Sequence, residues 1–276
     1  MKFMSSYYEV AAISSDSDLL SVVGANEGVR VKAVDMTREI TPWNDFKALW
    51  KMYSFFIKEK PFIVHTHTPK AGIVGMMAAW LARVPLRLHT VAGLPLMEAT
   101  GFKRHLLNFI ERLTYSFATK VYPNSYGLRD FIVKEKLCLE EKLQVIWYGS
   151  TNGIDTSYFD PVLITSEDKE TLRNILKIDE TEFVFIFIGR LVKDKGINEL
   201  IDAFVKTSRQ KCKLLLVGPY ENELDPLLPT TKQIIESNPD IITVGYQDDV
   251  RPFLSISNCL VFPSYREGFP NVVMQT

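Results

Sequence analysis

The turn Gly189-Arg190-Leu191-Val192-Lys193-Asp194-Lys195-Gly196 follows six consecutive apolar residues, Phe183 to Ile188, and opens into a helical pattern. Gly189 permits close backbone approach, the following helix offers N–H groups with no intrahelical partner, and Arg190 and Lys195 supply charge suited to a diphosphate. The alternative is an ordinary strand-to-helix turn with solvated charges. A second segment, Pro263-Ser264-Tyr265-Arg266-Glu267-Gly268-Phe269-Pro270-Asn271, again follows an apolar run and precedes a helical pattern. Pro270 suits a first helical position, and the N–H groups around Phe269 and Asn271 would face an anion or sugar oxygens. Glu267 accepts hydrogen bonds from two hydroxyls, as holding a hexose requires; otherwise it is a solvated loop carboxylate. Two ligand-type turns at the carboxyl edge of one sheet make coincidence a weaker explanation for either.

In the first half, Phe62-Ile63-Val64-His65-Thr66-His67-Thr68-Pro69-Lys70-Ala71-Gly72 also ends a strand and opens a helix. His65 and His67 share a face if the strand continues, which could suit a metal. No clustered Cys, Asp or Glu completes a shell, so hydrogen bonding within a cleft or to an acceptor is the reading adopted, with no metal expected. His89 ends the run Leu86 to Thr90, just before Val91-Ala92-Gly93-Leu94-Pro95, and is similarly placed. For any single histidine the alternative is a hydrogen-bonded core residue. Residues 101–120 combine Lys103, Arg104 and Arg112 with Leu106, Leu107, Phe109, Ile110, Leu113 and Phe117, after an exposed-looking apolar stretch, Leu94 to Met97. Such a helix either lies on an anionic membrane surface or packs with its cations in water.

These segments need a scaffold of alternating strands and helices. Val10–Ile13, Val29–Val34, Phe62–Thr66, Leu86–Thr90, Lys120–Pro123 and Leu143–Trp147 read as strands of a first parallel sheet. Thr41 is placed to cap a helix beginning at Pro42, with Trp43, Phe46, Leu49, Trp50, Tyr53 and Phe56 at helical spacing. The apolar stretch Ala71 to Ala82 is too short to span a bilayer and reads as a buried helix. Turn formers from Tyr148 to Asp155 interrupt the rhythm. A polar helix over 166–177 then introduces a second sheet of Phe183–Ile188, Lys213–Val217, Ile241–Val244 and Cys259–Phe262, with helices expected over 197–209, 226–237 and 248–257. The fold class is therefore α/β, in two doubly wound parallel-sheet domains, 1–160 and 161–276. A net charge of −1 among 276 residues does not indicate a polyanion-binding surface, so no nucleic-acid partner is expected. Cys138, Cys212 and Cys259 are odd in number and far apart, which fits a reducing compartment.

Four stretches together, His-Thr-His-Thr-Pro-Lys-Ala-Gly at 65–72, Asn-Gly-Ile-Asp at 152–155, Gly-Arg-Leu…Lys-Gly at 189–196 and Glu-Gly-Phe-Pro-Asn at 267–271, resemble the retaining family 4 glycosyltransferases of the Rossmann-like B-type fold. The resemblance covers essentially the whole chain and is strongest to bacterial enzymes of capsule, O-antigen and lipid-linked oligosaccharide assembly. It implies an acceptor-side first domain and a nucleotide-sugar-binding second domain facing a cleft. It also implies transfer with retention from a UDP-sugar, with no cofactor and no metal. By the same resemblance Gly189, Arg190 and Lys195 would bind the donor diphosphate, and Glu267 with Gly268, Phe269, Pro270 and Asn271 the transferred sugar. Tyr246 and Gln247 would flank the base, and His89 would sit beside the anomeric carbon. His65, His67, Lys70 and Asn124 are acceptor-side candidates. The acceptor would be a glycan or a polyprenyl-diphosphate-linked saccharide, met in the cytoplasm at the inner face of the membrane with peripheral contact through 101–120.

The sequence departs from the family pattern at Gln275, where a second Glu would hold the donor ribose. The family's first strand and its closing elements are also expected to be missing, so efficient turnover is not expected of this chain alone. Two other functions share the architecture: a nucleotide-sugar 2-epimerase, and an inactive fragment that only binds nucleotide sugar. The irregular segment 91–104, suited to receiving something beyond the donor, favours the transferase.

Overall fold

The structure is a computed structural model that describes residues 1–15, 17–37, 41–97, 99–150, 153–207, 211–223, 225–265 and 267–276. Of the sequence readings above, Glu98, Thr151, Asn152, Ser208, Arg209 and Arg266 lie outside the described residues. The chain divides into two compact units, Met1–Thr151 and Asn152–Thr276.

In the first unit α1 (Lys2–Ser5), β1 (Ala11–Ser14), α2 (Ser17–Glu27), β2 (Arg30–Ala33), α3 (Pro42–Glu59), β3 (Ile63–Thr66), α4 (Pro69–Leu81), β4 (Leu86–Val91), α5 (Gly101–Phe117), β5 (Lys120–Pro123) and α6 (Tyr126–Lys134) succeed one another. All strand pairs are parallel, but they form two sheets rather than one: β1 with β2, and β3-β4-β5 in that order. One core unites them, with Val34, Met52, Phe56, Val64, Met76, Val121 and Ile132 buried together. The strand expected at 143–147 is reduced to a single bridge, Val121 to Leu143. After Gln144 donates to the Val121 carbonyl the chain turns away, and Trp147 adopts a left-handed φ of 52°.

Helix α3 begins at Pro42 as expected, yet its core face is Ala48, Met52 and Phe56, while Trp43, Phe46 and Trp50 are exposed. Thr41 occupies the N-cap position without its hydroxyl capping the helix; instead the Asp45 carboxylate accepts from the Thr41 N–H at 3.2 Å and hydroxyl at 3.3 Å. Helix α4 is buried, and its Gly72 and Gly75 are what let it settle on the strands. A Cβ at Gly72 would lie 2.7 Å from His89 Cε1, and one at Gly75 would lie 2.8 Å from Thr66 Cγ2.

The second unit carries α7 (Ser166–Ile175), β6 (Phe183–Ile188), α8 (Ile197–Thr207), β7 (Cys212–Val217), α9 (Pro229–Ser237), β8 (Ile241–Gly245), α10 (Arg251–Ser255), β9 (Cys259–Leu260) and α11 (Asn271–Met274). A capping box between Thr165 and Asp168 starts α7. The four strands are parallel in the order β8-β7-β6-β9. Side chains alternate across the sheet. Phe187, Leu214 and Leu216 join Ile197 and Ile201 in one cluster, and Val184, Ile186, Leu215 and Val217 join Ile178 and Phe253 in another. A strand buried on both faces must be apolar throughout, which is why residues 183–188 contain no polar side chain. Two helices are shorter than expected at their N-terminal ends: α9 starts at Pro229 and α10 at Arg251.

Candidate functional site

Because β6 is followed by β7 on one side while β9 returns to its other side, the topological switch point of the second sheet lies between β6 and β9. In open α/β sheets the carboxyl end of that position is where connecting loops diverge and leave a crevice. The loops there are 189–196 and 263–270, and they are locked together. Gly196 (φ 71°) brings its backbone so close that a Cβ would lie 2.2 Å from the Pro263 carbonyl oxygen. The Tyr265 N–H donates to the Asp194 carbonyl at 3.1 Å. Lys195 Nζ meets Glu267 Oε1, and Ser264 Oγ donates to the same oxygen at 2.9 Å. Lys195 and Glu267, 72 residues apart in sequence, thus form one half-buried ion pair at the switch point.

The turn after β6 is braced from the other side by the turn after β7. Leu191 donates to the Pro219 carbonyl at 2.8 Å, and the Asp194 N–H donates to the Asp225 carboxylate at 2.7 Å. A Cβ at Gly218 would lie 2.0 Å from the Gly189 carbonyl oxygen. Arg190 pairs with Glu221 of that second turn. Tyr246 is exposed just beyond β8, and the Gln247 amide donates to the Val244 carbonyl at 2.7 Å. Gly268, Phe269 and Pro270 are half-buried. Pro270 takes the N-cap position, not the first helical one, and α11 begins at Asn271. Gln275 ends α11 and lines a cavity of about 370 Å³ with Ile154, Thr156, Phe159, Asp160 and Met274.

In the first unit the ends of β3 and β4 gather a cluster of imidazoles and hydroxyls. His89 is 2 % exposed, and its Nδ1 lies 2.7 Å from Thr66 Oγ1. His65 Nε2 lies 2.8 Å from Thr90 Oγ1, and the His65 and His67 rings stand 4.2 Å apart. Burial disfavours the charged imidazole. Desolvation first, then the neighbouring His65 and His67, hold His89 down at about 4; desolvation and then His67 bring His65 to about 4, and desolvation alone lowers His67. The cluster is therefore neutral at pH 7, suited to hydrogen bonding and not to carrying positive charge. Among the described residues no group of three or more metal-ligand side chains forms.

His67, His89, residues 90–94 and Glu111 line one narrow pocket. Glu111 reaches it from α5, and sequence reasoning missed it. Its carboxyl is buried, with its pKa raised by desolvation, beside the fully buried Tyr115. A lone Glu at a helical position that faces the core, between Ile110 and Leu113, was the available signal. Asn124 donates its backbone N–H to the Val91 carbonyl at 3.0 Å, while its buried Oδ1 has no partner among the described residues. Lys70 forms a 2.6 Å ion pair with Asp45 that fastens α4 to α3.

The region 94–120 differs from expectation. Leu94 and Leu96 are buried, while Pro95 and Met97 are exposed. Arg104 binds the Leu96 carbonyl and Glu135, and Arg112 donates to the carbonyls of Glu135 and Lys136.

Comparison with known proteins places these two units in context. Residues 6–149 match the model of the glycosyl transferase 4-like domain, and residues 168–276 match that of the glycosyl transferases group 1. The capsular polysaccharide biosynthesis glycosyltransferase CapM of Staphylococcus aureus is 36% identical over 269 residues, covering 97% of this chain and 68% of CapM. An Escherichia coli UDP-Gal:alpha-D-GlcNAc-diphosphoundecaprenol alpha-1,3-galactosyltransferase is 29% identical, over 87% of this chain and 61% of that enzyme. The fold matches that of Anabaena HepE in complex with UDP and glucose, with a TM-score of 0.76 at 17% identity over 96% of this chain and 69% of HepE.

Proposed function

Because the chain belongs to the group 1 glycosyl transferases, with a first unit of the glycosyl transferase 4-like type, we propose that it moves a hexose or N-acetylhexosamine from a UDP-sugar to a glycan or lipid-linked acceptor in cell-surface polysaccharide synthesis. The observation that carries this reading is the Lys195–Glu267 pair at the switch point of the second sheet. A cation and a carboxylate held side by side on two interlocked loops match the two demands of a nucleotide sugar. Lys195 offers its charge to the departing diphosphate, and Glu267 offers its oxygens to sugar hydroxyls. Arg190 is the second diphosphate ligand, exchanging Glu221 for phosphate oxygen. Tyr246 and Gln247 flank the base, Gly268 to Asn271 line the sugar, and Gln275 contacts the ribose.

In the first unit, neutral His89 donates or accepts a hydrogen bond at the pocket it lines, with His65, His67 and Asn124 as acceptor-side groups. Retention of anomeric configuration follows if the acceptor hydroxyl approaches the sugar face that the diphosphate leaves. The test is calorimetric titration with UDP and with uridine. Lys195→Ala and Arg190→Ala should each weaken UDP binding by about tenfold or more and leave uridine binding nearly unchanged. Equal loss for both ligands refutes the diphosphate assignment. Incubation with a panel of UDP-sugars and lipid-linked saccharides, with the product anomer read by NMR, then tests acceptor and stereochemistry. Turnover of donor without acceptor would favour an epimerase instead. Membrane contact along 101–120 is proposed here in reduced form, since Phe102, Lys103 and Phe109 are exposed there while Arg104 and Arg112 are occupied. No helix among the described residues is long and apolar enough to cross a membrane.

A further inference from the structure

Arg190 and Lys195, on the turn after β6, each meet an acid in the structure. Lys195 meets Glu267, which the proposed donor site uses for sugar hydroxyls, and Arg190 meets Glu221, to which that site gives no task. The two pairs are held differently. Glu267 also accepts from Ser264 and sits on the loop interlocked with the turn. Glu221 belongs to the turn after β7, whose backbone is pinned to 189–196 on either side of it. Leu191 donates to the Pro219 carbonyl at 2.8 Å, and the Asp225 carboxylate accepts from the Asp194 N–H at 2.7 Å. With the backbone pinned, release of Arg190 is left to the side chains. That of Arg190 is 44% exposed, open to a phosphate oxygen arriving from solvent, while that of Glu221 is 20% exposed.

Resting on the diphosphate role of Arg190 given above, we propose that Glu221 is an intramolecular competitor of the donor diphosphate, a carboxylate that holds the Arg190 guanidinium whenever phosphate oxygens do not. Carboxylate and phosphate offer a guanidinium like acceptor oxygens, so one replaces the other without a change of backbone. Because the competitor is tethered beside its target, its effective concentration does not fall on dilution. It lowers the affinity for every ligand that uses Arg190, in proportion to the fraction of time the guanidinium is free. The penalty therefore falls on the diphosphate and not on the nucleoside. It weakens UDP as product along with the donor, which favours release of the spent nucleotide. The alternative is a pair that only joins the two turns. Partly exposed ion pairs add little to stability, and the turns are already joined through Leu191 and Asp225.

Calorimetric titration of the 276-residue chain with UDP and with uridine tests the proposal. Glu221→Gln should tighten UDP binding about fivefold, the gain expected if Glu221 occupies Arg190 for about four-fifths of the time, and leave uridine binding as it was. Glu221→Ala should give the same gain, and circular dichroism with an unchanged thermal midpoint would show that both variants fold. Glu223→Gln controls for charge alone. The exposed Glu223 lies two residues along the chain, so its replacement removes the same charge without freeing Arg190 and should change UDP affinity by less than about twofold. The proposal is overturned if both Glu221 variants bind UDP as wild type does or more weakly, or if Glu223→Gln tightens UDP as much as Glu221→Gln. A lowered thermal midpoint with unchanged UDP affinity would assign the pair to stability alone and overturn it equally. Arg190→Ala separates this inference from the reading beneath it. If that variant binds UDP more weakly while neither Glu221 variant binds it more tightly, the diphosphate ligand stands and the competitor falls. If Arg190→Ala leaves UDP binding unchanged, both fall.

Discussion

His89 is the residue whose environment is most sharply defined: buried, bonded to Thr66, and held neutral down to about 4. The unfolded chain takes up a proton near pH 6.5 that the native chain refuses until about 4. Its contribution to stability is therefore complete above pH 6.5, declines as the pH falls from 6.5 to 4, and amounts to about 3 kcal/mol across that window. Glu111, raised by burial, acts in the opposite sense: its contribution is complete at low pH and is lost as the pH rises through its elevated native value. The measurement is thus a difference, denaturant unfolding of wild type against His89→Asn from pH 4 to 7, in which the variant's stability falls less on acidification. Equal slopes would show that His89 is protonated in the native protein. Gln275 gives a second test at this scale. Restoring a carboxylate with Gln275→Glu should tighten UDP binding by about 1 kcal/mol, the difference between a neutral and a charge-assisted hydrogen bond, and unchanged calorimetric affinity would remove Gln275 from the ribose. The types and spacing of these residues were legible in the sequence. That Lys70 would serve α3 and that Glu111 would enter the histidine pocket were not, because both depend on contacts between elements separate in the sequence.

At the scale of elements, glycines set how closely loops and helices approach. Gly196 combines a left-handed φ with contact to the Pro263 carbonyl, so Gly196→Ala adds backbone strain and forces the two switch-point loops apart. A loss of about 1–3 kcal/mol in stability is expected, with UDP affinity reduced at least about tenfold; calorimetry reads both. Gly72→Ala makes the complementary case. It presses on His89 and should shift the histidine ring resonances in NMR spectra while leaving UDP affinity as it was. Helix α3 teaches a related lesson. Its start at Pro42 was readable, since proline at the first turn is a local signal, whereas the face it buries was decided by the sheet and by α4 beneath it.

At the scale of the whole chain, each unit has its own core. Ile201, fully buried in the second, should cost about 2–5 kcal/mol when replaced by Ala. Hydrogen exchange should then show lost protection concentrated in β6, β7 and α8, with β3, β4 and β5 affected least. Uniform loss across both units would mean that they unfold as one.

The sequence by itself determined the α/β class, the positions of the strands among the described residues to within a few residues, apart from the one expected at 143–147, and the residues of the two switch-point turns, because apolar runs, glycines and prolines act locally. Of the strand expected at Cys259–Phe262, Cys259–Leu260 pairs regularly. The order β8-β7-β6-β9, the meeting of Lys195 with Glu267, the separation of β1-β2 from β3-β4-β5, and the outward turn of the α3 aromatics were decided by tertiary structure. A strand's apolar pattern states that it is buried but not which neighbour it pairs with, and an aromatic at helical spacing states a face but not which way that face is turned. Those choices are made by packing between segments far apart in the chain, where no local signal reaches.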